Sequence, residues 1–172
     1  ERAHFPELTR QGDRRDAHLV HSIAAELDVA VELAQERTVD FFALRVEPLD
    51  ILTHAHFDEA VADGQDDGRG LLFSVYRYID ARLASVDAAL DADDVLIVMS
   101  DHGIRTAMEH DRPALFVTTG AGVPAGRAPG SPSLRGVARV LADLLRVQTA
   151  WPETGVARRA NTGSKSPASR WN

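Results

Sequence analysis

Five residues carry the side chains in this sequence best suited to chemistry. Asp50 and His54 stand four apart in "EPLDILTHAHFDE", Asp101 and His102 are adjacent in "VLIVMSDHG", and His110 follows in "MEHDRP". Imidazole nitrogens and carboxylate oxygens are donors that suit zinc, with manganese or another first-row ion as an alternative. The chain has no cysteine, so a metal would have to be held by His and carboxylate. If Asp50 opens a helical turn, its spacing to His54 places both side chains on one face. Each residue also has a plainer reading. Asp101 could cap a following helix, His110 could be a solvated loop residue, and His54 and His56 could belong to the surface of a long loop.

The elements that would position these groups follow from periodicity. In residues 14–37 an apolar stripe of Leu19, Ile23, Leu27, Val31 and Ala34 recurs at helical spacing. "VDFFALRV" (39–46) reads as a strand, and the stretch from Glu47 to Gly70 reads mostly as loop. Residues 71–90 put Leu72, Val75, Ile79, Leu83, Val86 and Leu90 on one face of a second helix. "VLIVM" (95–99) is a continuous apolar run, expected to be a strand covered on both sides as parallel strands are. "ALFVTTG" (114–120) reads as a third strand, residues 133–147 as a last helix, and residues 148–172 as a flexible tail.

The alternation of helix and strand predicts an α/β fold, a layered and largely parallel sheet flanked by helices. In such a sheet ligands gather beyond the carboxyl ends of the strands, where the Asp50–His54 pair, the Asp101–His102 pair and His110 would come together. His4, His18 and His21 have no partners in the pattern.

Composition narrows the partners. At 172 residues the chain is one domain or part of one, large enough to bury a core. A net charge of -7 and the lack of a dense basic cluster argue against nucleic-acid backbone binding. No apolar run approaches the roughly 20 residues needed to span a bilayer. The chain starts at Glu1 without a signal-peptide pattern, so any targeting signal is expected upstream.

The ordered set of motifs resembles a known family. "D-x-x-x-H" in "LDILTH", the helix "YRYIDARLASVDAAL", then "VLIVMSDHG" and "EHDRPALFVTTGAGV" are similar to the alkaline phosphatase superfamily, specifically its type I phosphodiesterase/nucleotide pyrophosphatase group. The resemblance covers about Val39 to Val147. It implies a two-metal phosphoester hydrolase acting on a small-molecule phosphoester, with two divalent ions, zinc or manganese. One ion would be held by Asp50, His54 and His110, the second by Asp101 and His102. Such enzymes carry an N-terminal half that supplies another metal-binding Asp and a Thr or Ser nucleophile, and no strand-then-Thr/Ser-then-helix pattern precedes Val39 here. The expectation is therefore that residues 1–147 form the C-terminal, metal-binding portion of an incomplete alkaline-phosphatase-like domain. A missing N-terminal half or a partner chain would cover the open sheet edge.

Two other readings compete. "H-x-H-x-D" in "LTHAHFDEA" resembles the metallo-β-lactamase fold signature, which would use His54, His56 and Asp58, but Glu59 stands where a second His is normal. The chain could also be a non-catalytic metal-binding or interaction module, which the lack of a nucleophile favours. Retention of clustered acids and imidazoles argues against a decayed site, since such groups are costly to hold together.

Overall fold

The computed structural model describes residues 14–37, 39–66, 70–126 and 133–147. In chain order these form helices α1 (Arg14–Glu36), α2 (Glu47–Asp66) and α3 (Leu71–Ala89), strands β1 (Val95–Met99), β2 (Gly103–Thr106), β3 (Glu109–Asp111) and β4 (Phe116–Gly120), and helix α4 (Leu134–Leu144). They fall into two compact units. The first joins the chain up to Asp94 with His102–Pro113; the second joins Val95–Asp101 with the chain from Ala114 onward.

The first unit is built on the α1 stripe. Leu19, Ile23, Leu27, Val31 and Ala34 are all buried, as the periodicity requires. Leu19, Val20, Ile23 and Leu27 pack with Leu52 of α2 and with Leu72 and Val75 of α3 in one apolar cluster. Ile23, Leu52 and Val75 are fully enclosed, each worth about 1.5–3 kcal/mol of burial. Polar contacts tie the helices at the rim: Arg82 and Tyr78 of α3 both donate to Asp28 of α1. Helix α1 ends where Arg37 turns into the left-handed region (φ 53°) and bridges Asp91 at 2.8 Å and Asp94 at 3.1 Å. This unit also contains a hairpin, β2 against β3, whose register shifts between Ile104 and Thr106.

The second unit holds the antiparallel pair of β1 and β4, from Val95 opposite Gly120 to Met99 opposite Phe116. Ser100 extends the pairing: its N–H donates to Leu115 O at 3.0 Å, and its Oγ accepts from Leu115 N at 2.8 Å. Helix α4 starts at Ser133, whose Oγ accepts from the Gly136 N–H, and it buries Val137 and Ala142.

The expected layered, largely parallel sheet is overturned. Among the described residues the strands form two separate two-stranded sheets, each antiparallel. The cause lies in two segments. Residues 39–46 join no ladder, and Val39, Phe41 and Leu44 are exposed, so the strand that would have started a parallel sheet is absent. The 114–120 segment does form a strand but returns antiparallel to β1. Strand β1 is accordingly half-buried along most of its length, not covered on both faces. The expected loop from Glu47 is instead helix α2. The expected tail, residues 148–172, lies outside the described residues.

Candidate metal centre

Helix α2 supplies the first two groups. A helix advances about 100° per residue, so Asp50 and His54 lie about 40° apart on one face. The other two histidines come from the hairpin side of the same unit: His102 directly precedes β2, and His110 is the middle residue of β3. Gly103 closes the base of that hairpin, and a Cβ there would stand 2.4 Å from the Pro113 carbonyl oxygen, so no larger residue fits.

These four side chains meet around one atom. Asp50 Oδ1 is buried and has no hydrogen-bond partner. It faces His54 Nε2 at 3.5 Å, His102 Nε2 at 3.8 Å and His110 Nε2 at 3.9 Å. One donor atom from each of Asp50, His102 and His110 lies within 4.8 Å of the others. His54 Nε2 is 2.8 Å from His110 Nε2, and the His102 and His110 rings stack with centroids 3.7 Å apart. A tetrahedral zinc shell with bonds of roughly 2.0–2.1 Å sets its donors about 3.3–3.4 Å apart. To meet it the Asp50 spacings must close by up to about 0.6 Å and the His54–His110 spacing must open by about 0.5 Å.

The orientation of the rings is fixed from outside. His54 Nδ1 is 2.9 Å from Ala107 O, and His102 Nδ1 is 3.2 Å from Gly103 O. A carbonyl oxygen only accepts, so each Nδ1 carries a proton and each ring turns its Nε2 inward toward Asp50. Backbone carbonyls holding ligand imidazoles in this way are the usual outer support of a metal centre. When His54 is neutral, the His54–His110 hydrogen bond is donated by His110 Nε2–H. The side chain of His110 is half-exposed, at 51%, so the centre opens to solvent there.

A second histidine on α2 has a different setting. His56 Nε2 is 2.9 Å from Asp16 Oδ2 and His56 Nδ1 is 2.9 Å from Glu59 Oε2. Both ring nitrogens therefore donate, and the ring is an imidazolium between two carboxylates. Burial of the ring works against its charge, but the bonds to Glu59 and Asp16 outweigh it and raise the His56 pKa above its ordinary value. On a continuous helix His54 and His56 point about 200° apart, so an H-x-H-x-D motif here does not converge on one ion.

Of the residues expected to bind metal, Asp50, His54, His102 and His110 come together, with His102 beside Asp50 and His110. Asp101 belongs to the second unit. His18 and His21 are exposed on α1, and His4 lies outside the described residues. Residue type and spacing do not mark out Asp16, a buried acid in the first turn of α1, or the carbonyls of Gly103 and Ala107, whose role is independent of residue type. No protein-family model matches the chain, and no curated protein or solved structure matches it.

Proposed function

We propose that this chain is the metal-binding portion of a divalent-metal-dependent phosphoester hydrolase, with Asp50, His54, His102 and His110 gathered around one ion. The observation that carries the metal reading is Asp50 Oδ1, a buried carboxylate oxygen without a hydrogen bond, faced by three imidazole Nε2 atoms. A carboxylate oxygen enclosed without a hydrogen bond is costly unless a cation completes it, even on a side chain that is 41% exposed overall. The phosphoester reading rests on the order of the motifs, from "LDILTH" through "SDHG" to "EHDRP".

The chain's residues divide the work. Asp50 supplies negative charge, the Ala107 and Gly103 carbonyls aim His54 and His102 inward, and His110 would offer Nε2 as a ligand by carrying its ring proton on Nδ1 instead. When bound, a zinc-type ion supplies Lewis-acid charge that lowers the pKa of water and offsets the negative charge of a phosphoryl group. A net charge of -7 leaves the protein's own side chains poorly placed to supply that charge. The open side at His110 is where a substrate would approach. A second ion of the kind the resemblance implies would draw on Asp101, and its attacking Thr or Ser would come from another segment.

Elemental analysis of the purified chain after zinc or manganese loading tests the centre. About one ion per chain is expected, lost in Asp50→Asn; no uptake by the unaltered chain overturns it. This chain alone is expected to hold the ion without hydrolysing bis(p-nitrophenyl) phosphate, because the attacking Thr or Ser comes from another segment. Ion-dependent hydrolysis by a form that includes that segment, lost in Asp50→Asn, tests the chemistry, and tight ion binding without turnover in that form would leave a metal-binding module in place of a hydrolase.

A further inference from the structure

The hairpin that carries half of the centre has little else to hold it. A two-stranded hairpin is marginally stable in water by itself. This one is short, and its ladder is interrupted between Ile104 and Thr106. None of residues 103–111 belongs to the buried apolar core, and Met108 at the tip is 88% exposed. Its internal polar links, Arg105 to Asp111 and the Met108 N–H to Thr106 Oγ1, are exposed. Among the described residues, His54 of α2 reaches the hairpin with hydrogen bonds to the Ala107 carbonyl and to His110 Nε2. The Asp50 contacts to His102 and His110, at 3.8 and 3.9 Å, are too long for hydrogen bonds.

We infer that an ion bound among Asp50, His54, His102 and His110 staples the β2–β3 hairpin to helix α2, so that metal loading orders residues 103–111. This rests on the metal-centre reading above and adds a conformational consequence to it. The helix brings Asp50 and His54; the hairpin side brings His102 and His110. The ion therefore cross-links residues from Asp50 to His110, 60 positions apart, replacing contacts too long to bind with coordinate bonds. Half the ligand set arrives only with the hairpin, so binding the ion and seating the hairpin are one event. The apolar packing of α1 against α3 does not depend on it.

Amide hydrogen exchange on the full chain, with and without zinc, reads this directly. Zinc is expected to slow exchange across 103–111 by at least about tenfold, as for a ligand that binds only the seated form. Exchange in the middle of α1 and α3 should stay the same. One zinc bound per chain with unchanged hairpin exchange would overturn the staple and leave the metal centre standing. No zinc bound would remove both. His110→Asn should abolish the zinc-induced protection while keeping the helical circular dichroism. If that variant fails to fold, the unaltered chain with and without zinc still decides. Arg105→Ala, outside the ligand set, should keep the protection, and its loss there would count against a staple made by the ion.

Discussion

His54 and His56 sit two residues apart on helix α2 and end in opposite chemistry. His54 has Nδ1 on a backbone carbonyl and Nε2 on the imidazole of His110, with that Nε2 also 3.5 Å from a carboxylate oxygen that has no hydrogen bond. His56 has both nitrogens on carboxylates, which makes it a cation completing its own neighbourhood. The first environment lacks a positive charge and the second already contains one. Residue type and proximity in sequence therefore say little about which histidine binds a metal; what the second nitrogen meets decides it. Each prediction below strikes one side of this contrast and asks whether the other side responds.

The largest effect belongs to the unsatisfied side. Asp50→Asn or His110→Ala should weaken zinc binding by at least about 100-fold, more than loss of a supporting group usually costs. His56→Ala should leave zinc affinity unchanged. Isothermal titration calorimetry on the three variants checks both halves, and a comparable loss in His56→Ala would erase the distinction. Asp50→Asn should not destabilise the metal-free fold, because the one enclosed oxygen of Asp50 makes no hydrogen bond there and the side chain is 41% exposed overall. In the unaltered chain, zinc at 100 times its dissociation constant should add about 2.7 kcal/mol of stability, read as a rise in the thermal midpoint.

The satisfied side answers in stability. His56→Ala leaves the Asp16 carboxylate, only 12% exposed, without its partner, and should cost about 1–3 kcal/mol by urea unfolding. The pH dependence follows from the raised His56 pKa. The folded state holds its proton more tightly than the unfolded chain, so the contribution is full below the ordinary value of 6.5 and is lost as pH rises through the higher folded value. His56→Gln keeps a donor toward Asp16 but cannot be charged, so it should lose less stability and flatten that decline. A decline of the same steepness in His56→Gln would assign the proton to another group.

How far the sequence foretells this picture depends on what each segment relies on. Helices α1 and α3 were legible because their apolar residues repeat at helical spacing and that spacing is what buries them. Strand β1 was legible as a continuous apolar run, but its partner's direction was not. Sixteen residues separate Met99 from Phe116, long enough for a parallel crossover, and here they contain a hairpin instead. Helix α2 lacks a helical signature because its faces are mixed, with Asp50, His54 and His56 interrupting any stripe. Pro48 sits in the first helical turn, where proline is tolerated. Asp50, His54, His102 and His110 were visible as metal-type residues. Their grouping, with His102 beside Asp50, depends on the hairpin and on two backbone carbonyls, neither of which leaves a mark on residue type.

Within the hairpin, Gly103→Ala should act on the metal side alone. Its Cβ would press on the Pro113 carbonyl oxygen, and that carbonyl is backbone, so the base of the hairpin must open and carry His102 and His110 away from Asp50. Zinc affinity should fall, by less than in Asp50→Asn, with urea stability of the α1–α3 packing preserved. Unchanged zinc binding would mean that the hairpin absorbs the methyl group without moving the ligands.

The smallest effect belongs to Arg105→Ala. Arg105 pairs with Asp111 at 3.0 Å across the hairpin, and together with the Arg112 N–H it holds the Asp111 pKa below its ordinary value. That contribution is present above pH 3.8 and is lost only as pH falls through the lower folded value, so it is constant near neutrality. Both side chains are well exposed, and exposed ion pairs often contribute nothing measurable. The thermal midpoint should therefore stay within error of the unaltered chain, and zinc affinity should change less than about threefold. A large loss of zinc binding here would show that a surface ion pair seats the hairpin, and would shift the weight of the centre from its ligands to their frame.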